Sequence, residues 1–204
     1  EGPLGVVVGA PLKLRRLVEG ERVTLTALFD DVRAAAVASA AVTASGAQPA
    51  IMELMDATSL AAVHRLLSLP TPAPGAAQLT VQTDGPVAAT EARAIADVLR
   101  AAGGTVTVAA DAAEGEALLA IRRAMHPAME TLGTTLIEDV SVPRSALPDM
   151  FDEIARIERQ FGLVIPAVAH AGDGNLHPNF VFEGPEVPPV VWDAAEELFR
   201  AALA

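Results

Sequence analysis

The chain has 204 residues, of which 51% are hydrophobic, and its 14 basic and 26 acidic side chains give a net charge of −12. A chain of this length buries about 70% of its unfolded surface, so we expect one domain with one substantial core over residues 1–204. The acidic balance argues against nucleic acid as an electrostatic partner, and the absence of cysteine excludes disulfides, thiolate-bound zinc and cysteine-ligated iron–sulfur clusters.

The first half of the chain contains two segments with the same predicted order of strand, helix and strand. Periodicity and helix caps place the first segment at 23–29, 32–45 and 50–54. The second segment is predicted at 79–83, 87–102 and 105–109. A short helix over 59–67 and a proline-rich surface loop join them. We interpret the two segments as a duplicated βαβ unit.

The second half is predicted to alternate helices and strands in a less regular order. A helix over 114–129 precedes a strand over 134–142, and Ser145 is expected to cap the next helix, which ends at Gly162. Strands over 163–169 and 180–182 follow, and a last helix covers 190–203. The distribution is that of an α+β protein.

The polar loop at 170–179, His-Ala-Gly-Asp-Gly-Asn-Leu-His-Pro-Asn, holds two of the four histidines and lies between two apolar segments. Gly172 and Gly174 permit positive φ, so a tight turn can bring His170 and His177 within reach of one ion. The alternative is a hairpin whose polar residues only satisfy turn hydrogen bonds. We expect Asp173 to build the turn or to orient the histidines.

This loop resembles the signature of the C-terminal domain of FAD-linked oxidases, which include the glycolate oxidase D subunit and D-2-hydroxy-acid dehydrogenases. Further segments agree in the same order, so the resemblance spans nearly the whole chain. These segments are 1–5 (Glu-Gly-Pro-Leu-Gly), 53–56 (Glu-Leu-Met-Asp), 122–124 (Arg-Arg-Ala), 138–140 (Glu-Asp-Val) and 142–145 (Val-Pro-Arg-Ser). The resemblance implies duplicated ferredoxin-like βαβ units in an antiparallel sheet with helices on one face.

The resemblance also implies site residues. It makes His170 and His177 ligands of a divalent metal such as zinc, manganese or iron, and imidazole suits all three ions. It makes Asn179 a substrate contact, although a hydrogen bond to the backbone is the alternative. Arg122 would clamp a substrate carboxylate through two parallel hydrogen bonds, with the solvated surface as its alternative. Relatives carry an aromatic residue where this chain has Leu119.

Four other polar residues could border the predicted substrate pocket, but other roles are expected for most of them. His126 follows Arg122 by one helical turn, which would extend the pocket, but an exposed helix histidine is the expected outcome. No motif supports a role for His64. Alternation in a strand sends Glu138 and Asp139 to opposite faces, so at most one of them points toward the pocket. By its position Glu138 could approach the substrate, and the alternative is that it forms an ion pair or faces solvent.

From the resemblance we expect the substrate-binding domain of an FAD-dependent 2-hydroxy-acid dehydrogenase or oxidase, of glycolate or D-lactate type. FAD would be held by a domain absent from this chain, and a third metal ligand and a catalytic histidine would lie beyond Ala204. The chain alone would then be inactive, so we assign it no catalytic and no FAD-binding residue. Its partners would be a small 2-hydroxy acid, the FAD-binding domain and other oxidase subunits. The alternative is a noncatalytic ferredoxin-like binding or assembly module.

Sequence features also bear on location and on other chemistries. No apolar run reaches the roughly 18 residues of a membrane-spanning helix, and the start lacks the features of a signal peptide. We therefore expect no membrane insertion and a cytoplasmic location. No Gly-x-Gly-x-x-Gly, Walker or Gly-x-Ser-x-Gly motif supports dinucleotide, triphosphate or serine-hydrolase chemistry.

Overall fold

The computed structural model describes residues 5–14 and 18–204, so most of the 1–5 peptide lies outside the described residues. Strands and helices alternate from Glu21 onward. The first half contains β1 (Glu21–Phe29), α1 (Val32–Ala44), β2 (Ile51–Met55), α2 (Ala57–Leu66), β3 (Ala77–Gly85), α3 (Ala88–Ala101) and β4 (Thr105–Val108). The second half contains α4 (Ala112–Arg123), α5 (Met125–Glu130), β5 (Thr134–Ile137), β6 (Val140–Ser141), α6 (Leu147–Phe161), β7 (Ala167–His170), β8 (Asn175–Phe182) and α7 (Pro189–Leu203).

Local signals account for most of the helix ends. The side chain of Asp31 accepts a hydrogen bond from the Ala34 amide at 2.7 Å, as an N-cap should. Gly162 ends α6 with a φ of 65°, which confirms the predicted stop. The cap predicted at Ser145 is wrong, because Ser145 lies in a 3₁₀ turn and α6 begins at Leu147 with Pro148 in its first turn.

Three predicted elements of the second half are broken or lengthened in the structure, and the strand predicted over 163–169 is shortened to Ala167–His170. The helix predicted over 114–129 is broken at Ala124 into α4 and α5. The strand predicted over 134–142 is interrupted at Glu138 and Asp139, between β5 and β6. The strand predicted over 180–182 begins at Asn175, so half of the predicted polar loop belongs to β8.

The strands form one sheet of eight strands in the order β4-β1-β3-β2-β7-β8-β5, with β6 also paired to β8. Each paired set of strands is antiparallel, which confirms that prediction. The two predicted βαβ segments interleave, because β3 lies between β1 and β2 and β4 pairs with β1. They therefore form a single split βαβ arrangement, and duplicated ferredoxin-like units are not confirmed.

The helices cover both faces of the sheet, so the prediction of helices on one face is wrong. Successive residues of a strand point to opposite faces. Leu54 belongs to the large core under α1, α3, α6 and α7, which we call the first face. The next residue, Met55, belongs to a separate core with α2 and α5 on the second face. Strands with buried residues on both faces require helices on both.

The second face also carries a continuous polar surface. Strand register places its polar residues in adjacent rows, several of them largely buried. These residues are Thr24, Thr26, Glu53, Gln78, Thr80, Gln82, His170, Asn175, His177 and Asn179. Helix α4 lies over this surface, where Gly115 contacts Thr24 so closely that an added Cβ would be 3.0 Å from the threonine hydroxyl. The fold thus brings α4 beside the histidines of the β7–β8 hairpin.

Asp56 ties the start of α2 to β7. One carboxylate oxygen accepts a hydrogen bond from the Ser59 amide at 2.8 Å and the other from the Ala167 amide at 2.7 Å. Burial raises the pKa of Asp56 from 3.8 to about 6, while those hydrogen bonds act in the opposite direction. The folded protein therefore holds this proton at pH values where the unfolded chain has lost it.

We predict a pH dependence of stability from Asp56. Because its pKa is higher in the folded state, its contribution to the free energy of unfolding should fall as pH rises from about 4 to about 6, by at most about 3 kcal/mol. Above that window its contribution should be constant. Urea unfolding of the wild type and of Asp56→Asn across this range measures it. A stability difference between the two proteins that is the same at every pH would contradict the prediction.

Candidate functional site

The β7–β8 hairpin forms the tight turn predicted for the polar loop. The carbonyl of His170 accepts hydrogen bonds from the amides of Asp173, at 3.1 Å, and Gly174, at 3.0 Å. The side chain of Asp173 accepts from the Asn175 amide at 3.0 Å, which confirms Asp173 as a turn builder. Of the two glycines that permit positive φ, Gly174 adopts it, with a φ of 91°, whereas Gly172 does not.

His170 and His177 lie side by side on the second face. His177 pairs directly with Val168, and His170 follows Val168 by two residues, so both side chains point the same way. Their ring centres are 5.1 Å apart, with the ring planes at 85° to each other. The His170 side chain is 41% exposed and that of His177 25% exposed. The structure therefore brings the two predicted ligands together at an accessible position.

Glu53 links His170 to Arg122. It sits directly opposite His170 in the β2–β7 register, and one carboxylate oxygen lies 2.7 Å from Nδ1 of His170. The other oxygen accepts from Nε and Nη2 of Arg122, each at 2.9 Å. The sequence analysis included Glu53 only as part of the 53–56 segment and did not predict its contacts with His170 and Arg122. A polar residue between the buried Met52 and Leu54 was the available signal.

Arg122 is partly buried at the predicted site, with its side chain 21% exposed. One edge of its guanidinium already contacts Glu53, and Nη1 makes no hydrogen bond within the part of the chain that the structure describes. Arg122 therefore belongs to the same cluster as His170 and not to the solvated surface. Its neighbour Arg123 is exposed and pairs with Glu116 on its own helix.

Asn179 is fully buried beside the histidines. Its side-chain amide donates to the carbonyls of Pro166, at 3.2 Å, and His177, at 2.7 Å, as the backbone-bonded alternative expects. Its side-chain oxygen, however, has no hydrogen-bond partner among residues 5–14 and 18–204. A buried acceptor without a partner is costly, but this oxygen is closed to solvent, so no external donor reaches it in this arrangement of the chain.

Asp139, not Glu138, faces the histidines. Its carboxylate lies 3.7 Å from Nδ1 of His177 and also accepts a hydrogen bond from the Asn175 side chain. Asn175 thus orients Asp139, which in turn borders His177. Burial raises the pKa of Glu138, which is partly buried. The break between β5 and β6 changes the simple alternation on which the expectation for this pair depended.

The remaining histidines lie outside the cluster. The side chain of His126 is 65% exposed and lies 3.6 Å from Glu130, on a helix separate from that of Arg122. Nδ1 of His64 lies 2.6 Å from the Pro70 carbonyl, near the proline-rich loop. The expectations that His126 is an exposed helix residue and that His64 stands apart from the site agree with these positions.

Two cavities lie near the cluster, on either side of Ile51. One, of about 280 Å³, is lined by Glu53 and His170 and reaches the hairpin turn. The other, of about 340 Å³, lies between α4 and the sheet and is lined by Leu119 together with Gln82. Ile51 borders both. Leu119 thus borders open space between α4 and the sheet.

The described residues hold no group of three or more histidine, cysteine, aspartate or glutamate side chains arranged to bind a metal. The chain alone therefore offers two imidazoles and no third protein ligand within residues 5–14 and 18–204.

Over the same residues, no helix combines the length and apolar character that a membrane crossing requires.

Comparison with known proteins places these features in one family. The sequence matches the family described as FAD linked oxidases, C-terminal domain, over residues 19–204. Glycolate oxidase subunit GlcD of Escherichia coli (strain K12) is 35% identical over 202 residues, covering 97% of this chain and 40% of the relative. The same subunit of Bacillus subtilis (strain 168) is 33% identical, covering 87% of this chain and 38% of the relative.

Solved structures support the same fold. An alkyldihydroxyacetonephosphate synthase superposes with a TM-score of 0.64 at 13% identity, covering 91% of this chain and 39% of that protein. A p-cresol methylhydroxylase superposes with a TM-score of 0.59 at 12% identity, covering 90% and 42%. This chain spans about two fifths of the length of the GlcD relatives. By its sequence match and its fold, the chain belongs to the C-terminal domain family of FAD-linked oxidases.

Proposed function

We propose that this chain is the substrate-binding part of an FAD-dependent oxidoreductase that acts on small 2-hydroxy acids of glycolate or D-lactate type. The observation that carries the proposal is the convergence of His170, His177 and the Glu53–Arg122 pair on one polar face. The GlcD relatives, named as glycolate oxidase subunits, support the substrate class. An FAD-binding domain or subunit would be the partner, with other oxidase subunits beside it.

The two imidazoles fit a divalent metal. Two histidine rings bound at about 2.1 Å to one tetrahedral ion have ring centres about 5 Å apart, and those of His170 and His177 are 5.1 Å apart. Nδ1 of His170 is engaged by Glu53, so Nε2 is the nitrogen available for the ion. When bound, zinc, manganese or iron would polarise the substrate hydroxyl, and FAD would accept the hydride.

The residues of this chain would bind and orient the substrate. A guanidinium with one edge held by Glu53 keeps Nη1 for a carboxylate, and its charge attracts a hydroxy acid. Asn179 is fully buried and its side-chain amide donates to the His177 carbonyl, so it would support substrate binding by holding the backbone of His177 in place. The cavity beside Leu119 would receive the group that distinguishes one 2-hydroxy acid from another. Substrate orientation would thus depend on the charged clamp of Arg122 and on the histidine pair, with Asn179 holding the backbone beside it.

Replacing Arg122 by lysine tests the clamp in the flavin-containing protein that carries this chain. Lysine cannot contact Glu53 and a substrate carboxylate together through a planar fork, so one charge-assisted hydrogen bond is lost. We expect kcat/KM for 2-hydroxy acids to fall about 10- to 100-fold, from a loss of about 1.5–3 kcal/mol. Steady-state kinetics with glycolate and D-lactate measure it.

The matched control is Arg100→Lys, at an exposed arginine on α3 that pairs with Asp97 on its own helix. It should leave kcat/KM unchanged. If Arg122→Lys also leaves kcat/KM unchanged for both substrates, Arg122 serves only to pair with Glu53 and the clamp is wrong.

A further inference from the structure

We propose that Glu53 is the positioning residue of this site. Its carboxylate holds His170 in the tautomer with the proton on Nδ1 and a free lone pair on Nε2, and it fixes the Arg122 guanidinium beside that ring. The consequence for metal binding rests on the proposed function, whereas the tautomer does not.

The tautomer follows from the contact between Glu53 and His170. An ionised carboxylate only accepts hydrogen bonds, so an imidazole nitrogen 2.7 Å from its oxygen must be the donor. In a neutral ring the other nitrogen, Nε2, is then the acceptor. Direct cross-strand pairing of Glu53 with His170 determines this contact, since the two residues face each other in the register of β2 and β7.

Both oxygens of the same carboxylate are engaged. Its second oxygen accepts from two nitrogens of Arg122, and the Glu53 side chain is only 15% exposed. Glutamine has the shape of glutamate, but its NH2 group would face an N–H donor of either Arg122 or His170. Glu53→Gln can therefore satisfy both partners only if the proton of His170 moves from Nδ1 to Nε2, which makes it a sharp probe of the arrangement.

His177 provides an internal comparison. Its carboxylate neighbour Asp139 is more exposed and lies 3.7 Å from Nδ1, beyond a direct hydrogen bond. The side-chain orientation of His177 is therefore held less firmly than that of His170. Glu53 is accordingly the carboxylate that organises the pair.

The test is long-range ¹H–¹⁵N correlation NMR of the histidine rings in the metal-free chain at about pH 8, above the ordinary histidine pKa. We expect His170 to be predominantly the Nδ1–H tautomer in the wild type and to shift toward Nε2–H in Glu53→Gln. Glu130→Gln changes the exposed pair between Glu130 and His126, and it should leave the signals of His170 and His177 unchanged.

Calorimetric titration with zinc gives the second readout. Removing a carboxylate that orients a ligand should lower zinc affinity about 10- to 100-fold in Glu53→Gln. Glu53→Asp retains the charge on a shorter side chain, so it should restore part of the tautomer preference and part of the affinity.

The outcomes separate this inference from the proposed function. A wild-type His170 in the Nε2–H tautomer overturns the inference even if no variant folds. A tautomer that Glu53→Gln leaves unchanged overturns it as well. If the tautomer responds to Glu53→Gln while the wild type binds no zinc, the positioning role of Glu53 is supported and the metal in the proposed function fails.

Discussion

Replacing both His170 and His177 by alanine should abolish the binding of zinc or manganese by this chain. The ring centres lie 5.1 Å apart, and the described part of the chain holds no group of three or more potential ligand side chains that could bind the ion instead. Each imidazole supplies one metal–nitrogen bond, so either single replacement should weaken binding about 100-fold or more. Calorimetric titration of the wild type, both single variants and the double variant measures the effect.

His126→Ala is the control for the loss of a histidine as such, because His126 is exposed and distant in sequence from the hairpin. It should leave metal affinity unchanged. Equal affinities in the wild type and the double variant would leave the hairpin as an ordinary turn and would remove the metal from the proposed function.

Local signals predicted the parts of the structure that depend on short stretches of chain. The Asp31 cap and the Gly162 stop act within one turn of a helix. The hairpin that brings His170 and His177 together depends on a few turn residues between them. Antiparallel pairing was correct, although it came from resemblance and not from the loop lengths.

The parts that sequence reasoning missed depend on contacts between distant segments. Glu53 meets Arg122 only because α4 lies across the second face, 69 residues along the chain. The helices on the second face were not predicted, because the alternation of apolar and polar residues within a strand does not show which element covers the polar side. The polar residues of the loop hid the first half of β8, which was predicted to begin at residue 180 but begins at Asn175. The strand continues through Pro178, whose carbonyl accepts a hydrogen bond from the Glu138 amide.

Gly174→Ala should destabilise the protein by about 3 kcal/mol or more. Gly174 has a φ of 91°, which costs a residue with a Cβ about 1–3 kcal/mol. An added Cβ would also stand 2.1 Å from the Val142 carbonyl oxygen, which belongs to backbone and cannot rotate away. Moving that segment would break the 3.0 Å hydrogen bond from the Val142 amide to the Gly174 carbonyl and disturb the pairing of β6 with β8.

The same turn offers its own control in Gly172→Ala. Gly172 has no positive φ, and an added Cβ would have its nearest neighbour, Met52, at 3.9 Å, an ordinary contact. Its stability should stay within about 1 kcal/mol of the wild type, since such a replacement also restricts the unfolded chain. Urea unfolding of the two variants gives the comparison. Equal stabilities would mean that the chain adapts to a side chain at Gly174, and that this glycine is not what holds the two histidines in place.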